Sequence, residues 1–157
     1  LPDGSVIGRY RIEHVPGVFE APPYDSPADG TLPGVGALIG FTLAGDTFDR
    51  SAPLPVTLVW RADGPADAAY TVFVQLIDAD GTLIAQSDSA PAGGARPTTD
   101  WRAGEYIEDH HQLEFNARAT PGTATLIAGM YDPLTGTRIT AANGLSYVAL
   151  PRTVIVR

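Results

Sequence analysis

The chain has 157 residues, 44% of them hydrophobic, which is close to the size of one domain and supplies enough apolar material for a core. Its formal charge of −8 excludes a phosphate-binding surface built on clustered Lys and Arg, so nucleic acid is not expected as a partner. Seventeen Gly and 14 Pro leave long helices nowhere to sit, and the absence of Cys excludes disulfide staples, thiol nucleophiles and Cys-based zinc sites.

The apolar residues fall in short alternating runs, the period that sends successive side chains to opposite faces of a strand. Val6 to Val15 alternates in this way and predicts an early strand. From 16 to 36 the chain reads PGVFEAPPYDSPADGTLPGVG, where prolines remove ladder donors and glycines permit turns. A long irregular connection is expected there, an interdomain linker or, as Val18, Phe19, Tyr24 and Leu32 favour, a segment packed on the body. Ala37 to Leu43 is the next strand, with Gly40 a bulge or a close backbone approach. GDTFDRSAP then leads to the strand starting at Leu54, in which Leu54, Val56, Leu58, Trp60 and Ala62 face the core and alternate with Pro55, Thr57, Val59 and Arg61.

Tyr70 to Asp78 and Thr82 to Ser87 form a hairpin about Asp80-Gly81. SAPAGGARPTTDWRAGE follows, a connection long enough to be a packed or functional surface loop. Tyr106 to Phe115 is a strand with Ile107, Asp109, His111, Leu113 and Phe115 on one face and Glu108, His110, Gln112 and Glu114 on the other. Thr123 to Tyr131 is another strand, reversed at Asp132 to Gly136 and continued by Arg138 to Thr140. Leu145 to Leu150 and Thr153 to Val156 close the domain. Eight to ten short strands without helical periodicity predict one all-β domain over residues 1–157, a two-sheet antiparallel β-sandwich of jelly-roll or immunoglobulin-like topology.

Trp101 in the long loop is flanked by Asp100 and Arg102 and followed by Glu105 and Tyr106, which together are the candidate ligand-binding set. An aromatic ring can stack on the apolar face of a sugar while charged neighbours bond its hydroxyls; the simpler reading is that Trp101 folds back to cover the sheet. The densest set of possible metal ligands is Glu105, Glu108, Asp109, His110 and His111, with the last four the candidates on one strand. A strand puts Glu108 and His110 on one face and Asp109 and His111 on the other, so neither pair reaches three ligands; no metal or other cofactor is expected. Asp78, Asp80 and Gly81 resemble part of a calcium loop, but a hairpin turn explains them. Asp100, Glu105, Glu108 and Asp109 supply carboxylates, yet no carboxylate separation follows from one strand, and no Gly-x-Ser-x-Gly elbow is present. Catalysis is not expected.

The strings VTLVWRAD, AYTVFVQLIDADGTLIAQSD, PTTDWRAGEYIEDHHQLEF and GTATLIAGMYDPLTGTRI together resemble a bacterial β-sandwich domain. That domain occurs at the extracytoplasmic C-terminal end of multi-pass membrane glycosyltransferases of the protein mannosyltransferase-like class. The likeness covers Gly36 to Arg157 and rests on Trp60 and Arg61, the Tyr70 to Gly81 hairpin, Pro97, Thr98, Trp101, Gly104, Glu105, Asp109 and the Tyr131-Asp132-Pro133 turn with Gly136. At position 111 the resemblance leads one to expect an aromatic, so His111 is a departure.

The resemblance implies a non-catalytic accessory module outside the cytoplasm, with transferase chemistry in a membrane-embedded parent. Its partners would be glycan or the membrane part of that parent. No run approaches the roughly 18 apolar residues of a spanning helix, so this segment is not expected to insert directly. The start at Leu1 suits a piece of a longer chain. Competing readings are a structural or protein-interaction domain without a small ligand, and a small glycoside hydrolase.

Overall fold

The structure is a computed structural model and describes residues 16–157; the strand expected over Val6 to Val15 lies outside the described residues. The fold is all-β. Nine strands run β1 Ser26–Leu32, β2 Gly36–Leu43, β3 Thr47–Phe48, β4 Leu54–Ala62, β5 Thr71–Asp78, β6 Leu83–Ser89, β7 Tyr106–Phe115, β8 Gly122–Tyr131 and β9 Val148–Val156. They join into one mixed sheet, ordered β1-β2-β4-β7-β6-β5-β8-β9-β3, that curls into a half-barrel.

The sheet turns at β7. This strand pairs along most of its length with β4, from Arg61↔Tyr106 to Leu54↔Leu113, and its end crosses to β6 through Ala85↔Phe115 and Gln86↔Glu114. Side chains on the concave side form the core: Leu38, Phe41, Leu54, Leu58 and Trp60 from one half meet Val72, Val74, Leu76, Leu126 and Val154 from the other. Alternation places Trp60 there as expected, fully buried, and its ring centroid lies 6.5 Å from that of Trp101. Val59 belongs to the opposite phase yet is also buried. Its cross-strand partner is Gly40, and a Cβ at Gly40 would collide with the Tyr24 ring. Gly40 is therefore the close approach that a mid-strand glycine suggested, and the bulge lies beside it, where Ile39 is the extra residue between Leu38↔Trp60 and Gly40↔Val59.

Four boundaries differ from the sequence reading. The stretch 16–36 is not irregular throughout, because Ser26–Leu32 forms edge strand β1. Pro27 is tolerated since the β1–β2 register shifts between Pro27 and Gly30, and β1 sits at one end of the sheet. Thr47–Phe48 adds a short parallel pairing with β9 at the other end, so the sheet is not purely antiparallel. The two closing strands are one: Leu126 pairs with Leu150 and Thr125 with Thr153, so Pro151 and Arg152 bulge out of an otherwise continuous β9. Arg138 to Thr140 contributes only the isolated bridge Tyr131↔Arg138.

The turns follow local chemistry. Asp78 Oδ1 accepts from the backbone N–H of Asp80 and of Thr82 at 3.0 and 2.8 Å, and Gly81 takes φ +83°, a conformation costly for other residues. Asp132 closes the β8 reversal by accepting from Gly136 N–H at 2.7 Å.

Candidate functional site

Of the five residues expected to contact a ligand, the loop between β6 and β7 holds Asp100, Trp101, Arg102 and Glu105, and Tyr106 opens β7. The loop contains two short 3-10 turns, Pro91–Gly94 and Thr98–Asp100. Thr98 is buried and staples the second turn: its hydroxyl donates to Ala68 O at 2.6 Å and accepts from Tyr70 N–H at 3.0 Å. Trp101 is fully buried, and its Nε1–H donates to Arg96 O at 2.8 Å. A sugar has no access to that ring, so the stacking platform is replaced by the simpler alternative, a tryptophan that anchors its loop. Glu105 is also buried and accepts two bonds from Arg96, Nε to Oε2 at 3.0 Å and Nη2 to Oε1 at 2.7 Å. Asp100 and Arg102 are exposed, with the Arg102 guanidinium 5.7 Å from the Phe19 ring centroid, and Tyr106 N–H donates to Val18 O at 2.7 Å. The five residues therefore do not share one surface.

The bidentate Arg96–Glu105 pair lies largely out of water, so removing one member leaves the other charge poorly compensated. Arg96→Ala is expected to destabilise the protein by about 2 kcal/mol and to speed amide hydrogen exchange between residues 91 and 105. Unchanged exchange there would show that the pair does not hold the loop.

The strand β7 splits its ionisable residues as the alternation requires. On the exposed face His110 Nε2 is 3.1 Å from Glu108 Oε1 and its Nδ1 is 2.9 Å from Thr57 Oγ1. On the core face Asp109 and His111 are buried, with Asp109 Oδ2 2.8 Å from His111 Nε2. Among the described residues no three His, Cys, Asp or Glu side chains stand close enough to hold a metal ion.

The core-face pair belongs to a longer line that the sequence did not reveal. Asp109 Oδ2 also accepts from Trp60 Nε1–H at 3.2 Å, Oδ1 accepts from Ala92 N–H at 2.9 Å, and His111 Nδ1 lies 3.0 Å from Ser87 Oγ. In the tautomer that carries hydrogen on Nε2, the ring donates to the Asp109 carboxylate and accepts a hydrogen bond from the Ser87 hydroxyl at Nδ1. A serine, a histidine and an aspartate in line are the parts of a nucleophilic triad, so the roles need testing against geometry. Ser87 pairs across the hairpin with fully buried Val74, the His111 side chain has no exposed surface, and the carboxylate is committed to three donors. The line ties β4, β6, β7 and the loop together, from buried Trp60, Asp109 and His111 out to half-buried Ser87 and Ala92. It holds Ala92, whose φ of +55° is unusual for a residue with a Cβ, by its own N–H.

The exposed cluster with mixed chemistry lies elsewhere, on the convex side of β5 and β8. Val72, Val74 and Leu76 point into the core, so Phe73, Gln75 and Ile77 point outward. Phe73 is nevertheless only 1% exposed. It pairs with Gly129, where a Cβ would stand 2.6 Å from Phe73 Cζ, so the glycine lets the ring lie down on the sheet. The Arg138 guanidinium covers that ring at 4.0 Å from its centroid, and Arg138 Nη2–H donates to Gln75 Oε1 at 3.3 Å. The Tyr131 ring is 6.3 Å from Phe73, and its hydroxyl donates to Asp88 Oδ2 at 2.9 Å. These groups line a depression of about 190 Å³. A second depression of about 320 Å³, lined by Ile77, Asp78, Thr123, Thr125 and Thr153, continues on the same strands.

Partial burial, and the Asp88 carboxylate that accepts the phenol's proton, push Tyr131 above the ordinary tyrosine value of 10.0. The folded state thus keeps this proton more tightly than the unfolded chain. Its contribution to stability is full below pH 10 and falls as the pH rises from there through the folded-state value. Ultraviolet titration is expected to show a late-ionising tyrosine that Tyr131→Phe removes; identical titrations of parent and variant would contradict the assignment.

The sequence pattern marks none of Phe73, Gln75, Asp88, Gly129, Tyr131 and Arg138 as a site. The available signal was an outward-phase aromatic on β5 together with a glycine inside β8, but which positions face one another depends on register. No protein-family model matches the chain, and no curated protein matches it.

Proposed function

We propose that the chain is a non-catalytic accessory module, a two-sheet β-sandwich of immunoglobulin-like topology, carried outside the cytoplasm by a glycosyltransferase-like membrane parent. The strand order supports the topology: β2-β4-β7 corresponds to A-B-E, and β6-β5-β8-β9 to C′-C-F-G, and among the described residues strand pairing joins the two sets where β7 passes to β6. This ordering favours immunoglobulin-like connectivity over a jelly roll. The observation that carries the non-catalytic reading is the burial of Asp109, His111 and Glu105, the groups best suited to acid–base work, each engaged in holding strands and loop together. Their placement favours a scaffold over a glycoside hydrolase. The extracytoplasmic tether rests on the sequence resemblance.

Two measurements test the reading. The isolated chain is expected to release no product from aryl glycosides or oligosaccharides; turnover that Asp109→Asn abolishes in a folded variant would overturn it. A periplasmically active reporter fused after Arg157 of the complete gene product is expected to score as exported, with apolar segments of roughly 20 residues encoded upstream. A cytoplasmic score would remove the tether.

A further inference from the structure

We propose that the convex face of β5 and β8 is a binding groove for a neutral linear oligosaccharide, which seats a vicinal diol between Asp88 and Arg138. The inference builds on the non-catalytic, extracytoplasmic reading and adds the site and the ligand class. Asp88 and Arg138 line one depression, and each is positioned by a neutral partner, Tyr131 for the carboxylate and Gln75 for the guanidinium. Among the described residues Asp88 Oδ1 has no hydrogen-bond partner, while the fork of Arg138 has donors beyond the one directed at Gln75. Adjacent hydroxyls match this pairing, because one can donate to the carboxylate while its neighbour accepts from the guanidinium.

The site is also preorganised. Arg138 sits over the Phe73 ring, Phe73 packs where Gly129 leaves room, and the Tyr131 hydroxyl donates to Asp88, so little side-chain freedom remains to be lost on binding. Charge selects the ligand class. A carboxylate in the depression and a net charge of −8 oppose an anionic glycan, and Arg138 opposes a cationic one. Length follows from the strand: Phe73 and Ile77 are four residues apart on β5, about 13 Å at the usual rise. Gln75 of the first depression and Ile77 of the second alternate onto the same face of β5, so the second depression, with its threonines Thr123, Thr125 and Thr153, lies along the same strand and offers a track for further sugar rings.

The test is NMR titration of the labelled chain with mannotetraose, cellotetraose and maltotetraose, with the corresponding monosaccharides and tetragalacturonate for comparison. At least one neutral tetrasaccharide is expected to shift the amides of Gln75, Asp88, Tyr131 and Arg138 at millimolar concentration, and to bind more tightly than its monosaccharide. Arg138→Ala and Asp88→Ala should each weaken that binding about tenfold or more, as loss of a charge-assisted hydrogen bond implies. Thr153→Arg, an exposed change in the second depression, should remove the advantage of length while leaving monosaccharide binding intact. Dispersed spectra establish that each variant is folded.

Failure of all three neutral sugars, stronger binding of tetragalacturonate, or binding indifferent to both Asp88→Ala and Arg138→Ala would overturn the proposal. None of these results bears on export or on lack of turnover, which the reporter and hydrolysis assays decide separately.

Discussion

Asp109→Ala is expected to destabilise the domain by about 3 to 5 kcal/mol, the range found when a buried charged group is removed from its partners. The carboxylate accepts from two buried side chains, Trp60 Nε1–H and His111 Nε2–H, and from the N–H of half-buried Ala92. Truncation strands all three at once, and each unsatisfied group costs about 1 to 3 kcal/mol before relaxation. Asp109→Asn should lose less, since its amide oxygen still accepts while its NH₂ faces donors on one side. The losses also differ in place. Ala92 is kept in a left-handed conformation by this carboxylate, so the 91–95 turn should exchange its amides faster in both variants. Urea titration measures the stability change; a loss below about 1 kcal/mol for Asp109→Ala would mean that the network is dispensable.

Trp60→Ala should cost a similar amount, about 3 to 5 kcal/mol, for a different reason. The indole is among the largest fully buried side chains, and its removal opens a cavity between the two halves of the sheet while releasing its ring contact with Trp101. It also deprives Asp109 of one donor. Trp60→Phe separates the two contributions, because it restores most of the volume without the N–H; a loss of about 1 to 2 kcal/mol is expected from the missing hydrogen bond and the altered packing. With the chain's two tryptophans both buried, intrinsic fluorescence should report global unfolding in these titrations. If Trp60→Ala resists urea as well as the parent does, the core does not close over Trp60.

The two substitutions converge on the same joint. Trp60 comes from β4, Asp109 and His111 from β7, Ser87 from β6 and Ala92 from the loop that follows it, so one hydrogen-bonded line spans the place where the sheet turns. Buried polar groups are tolerated there because they satisfy one another: among the described residues, no buried side-chain nitrogen or oxygen lacks a partner. Hydrophobic burial alone would favour closure of the two halves without fixing their register. The directional bonds add that constraint and hold the β6–β7 loop against β7.

The amino-acid sequence by itself determined what depends on neighbours along the chain. Period-two alternation located β2, β4, β5, β6, β7 and β8 to within a few residues and assigned the faces of β7, because a strand's side-chain direction is a local property. Asp80-Gly81 and Asp132 to Gly136 announced their reversals for the same reason. Tertiary structure alone decided what depends on register between strands distant in sequence. Ser26–Leu32, Pro-bearing and weakly patterned, became a strand by pairing with β2, and Thr47–Phe48 by finding β9. The sequence favours a Trp101 that folds back on the sheet over an exposed platform, but only the loop's backbone, which positions Arg96 O to accept its N–H, decides it. Ser87 met His111, and Phe73 met Gly129 and Arg138, across hairpins and sheet turns whose pairings no local pattern encodes. A strand's own alternation states which way each side chain points, whereas only the paired sheet states what it points beside.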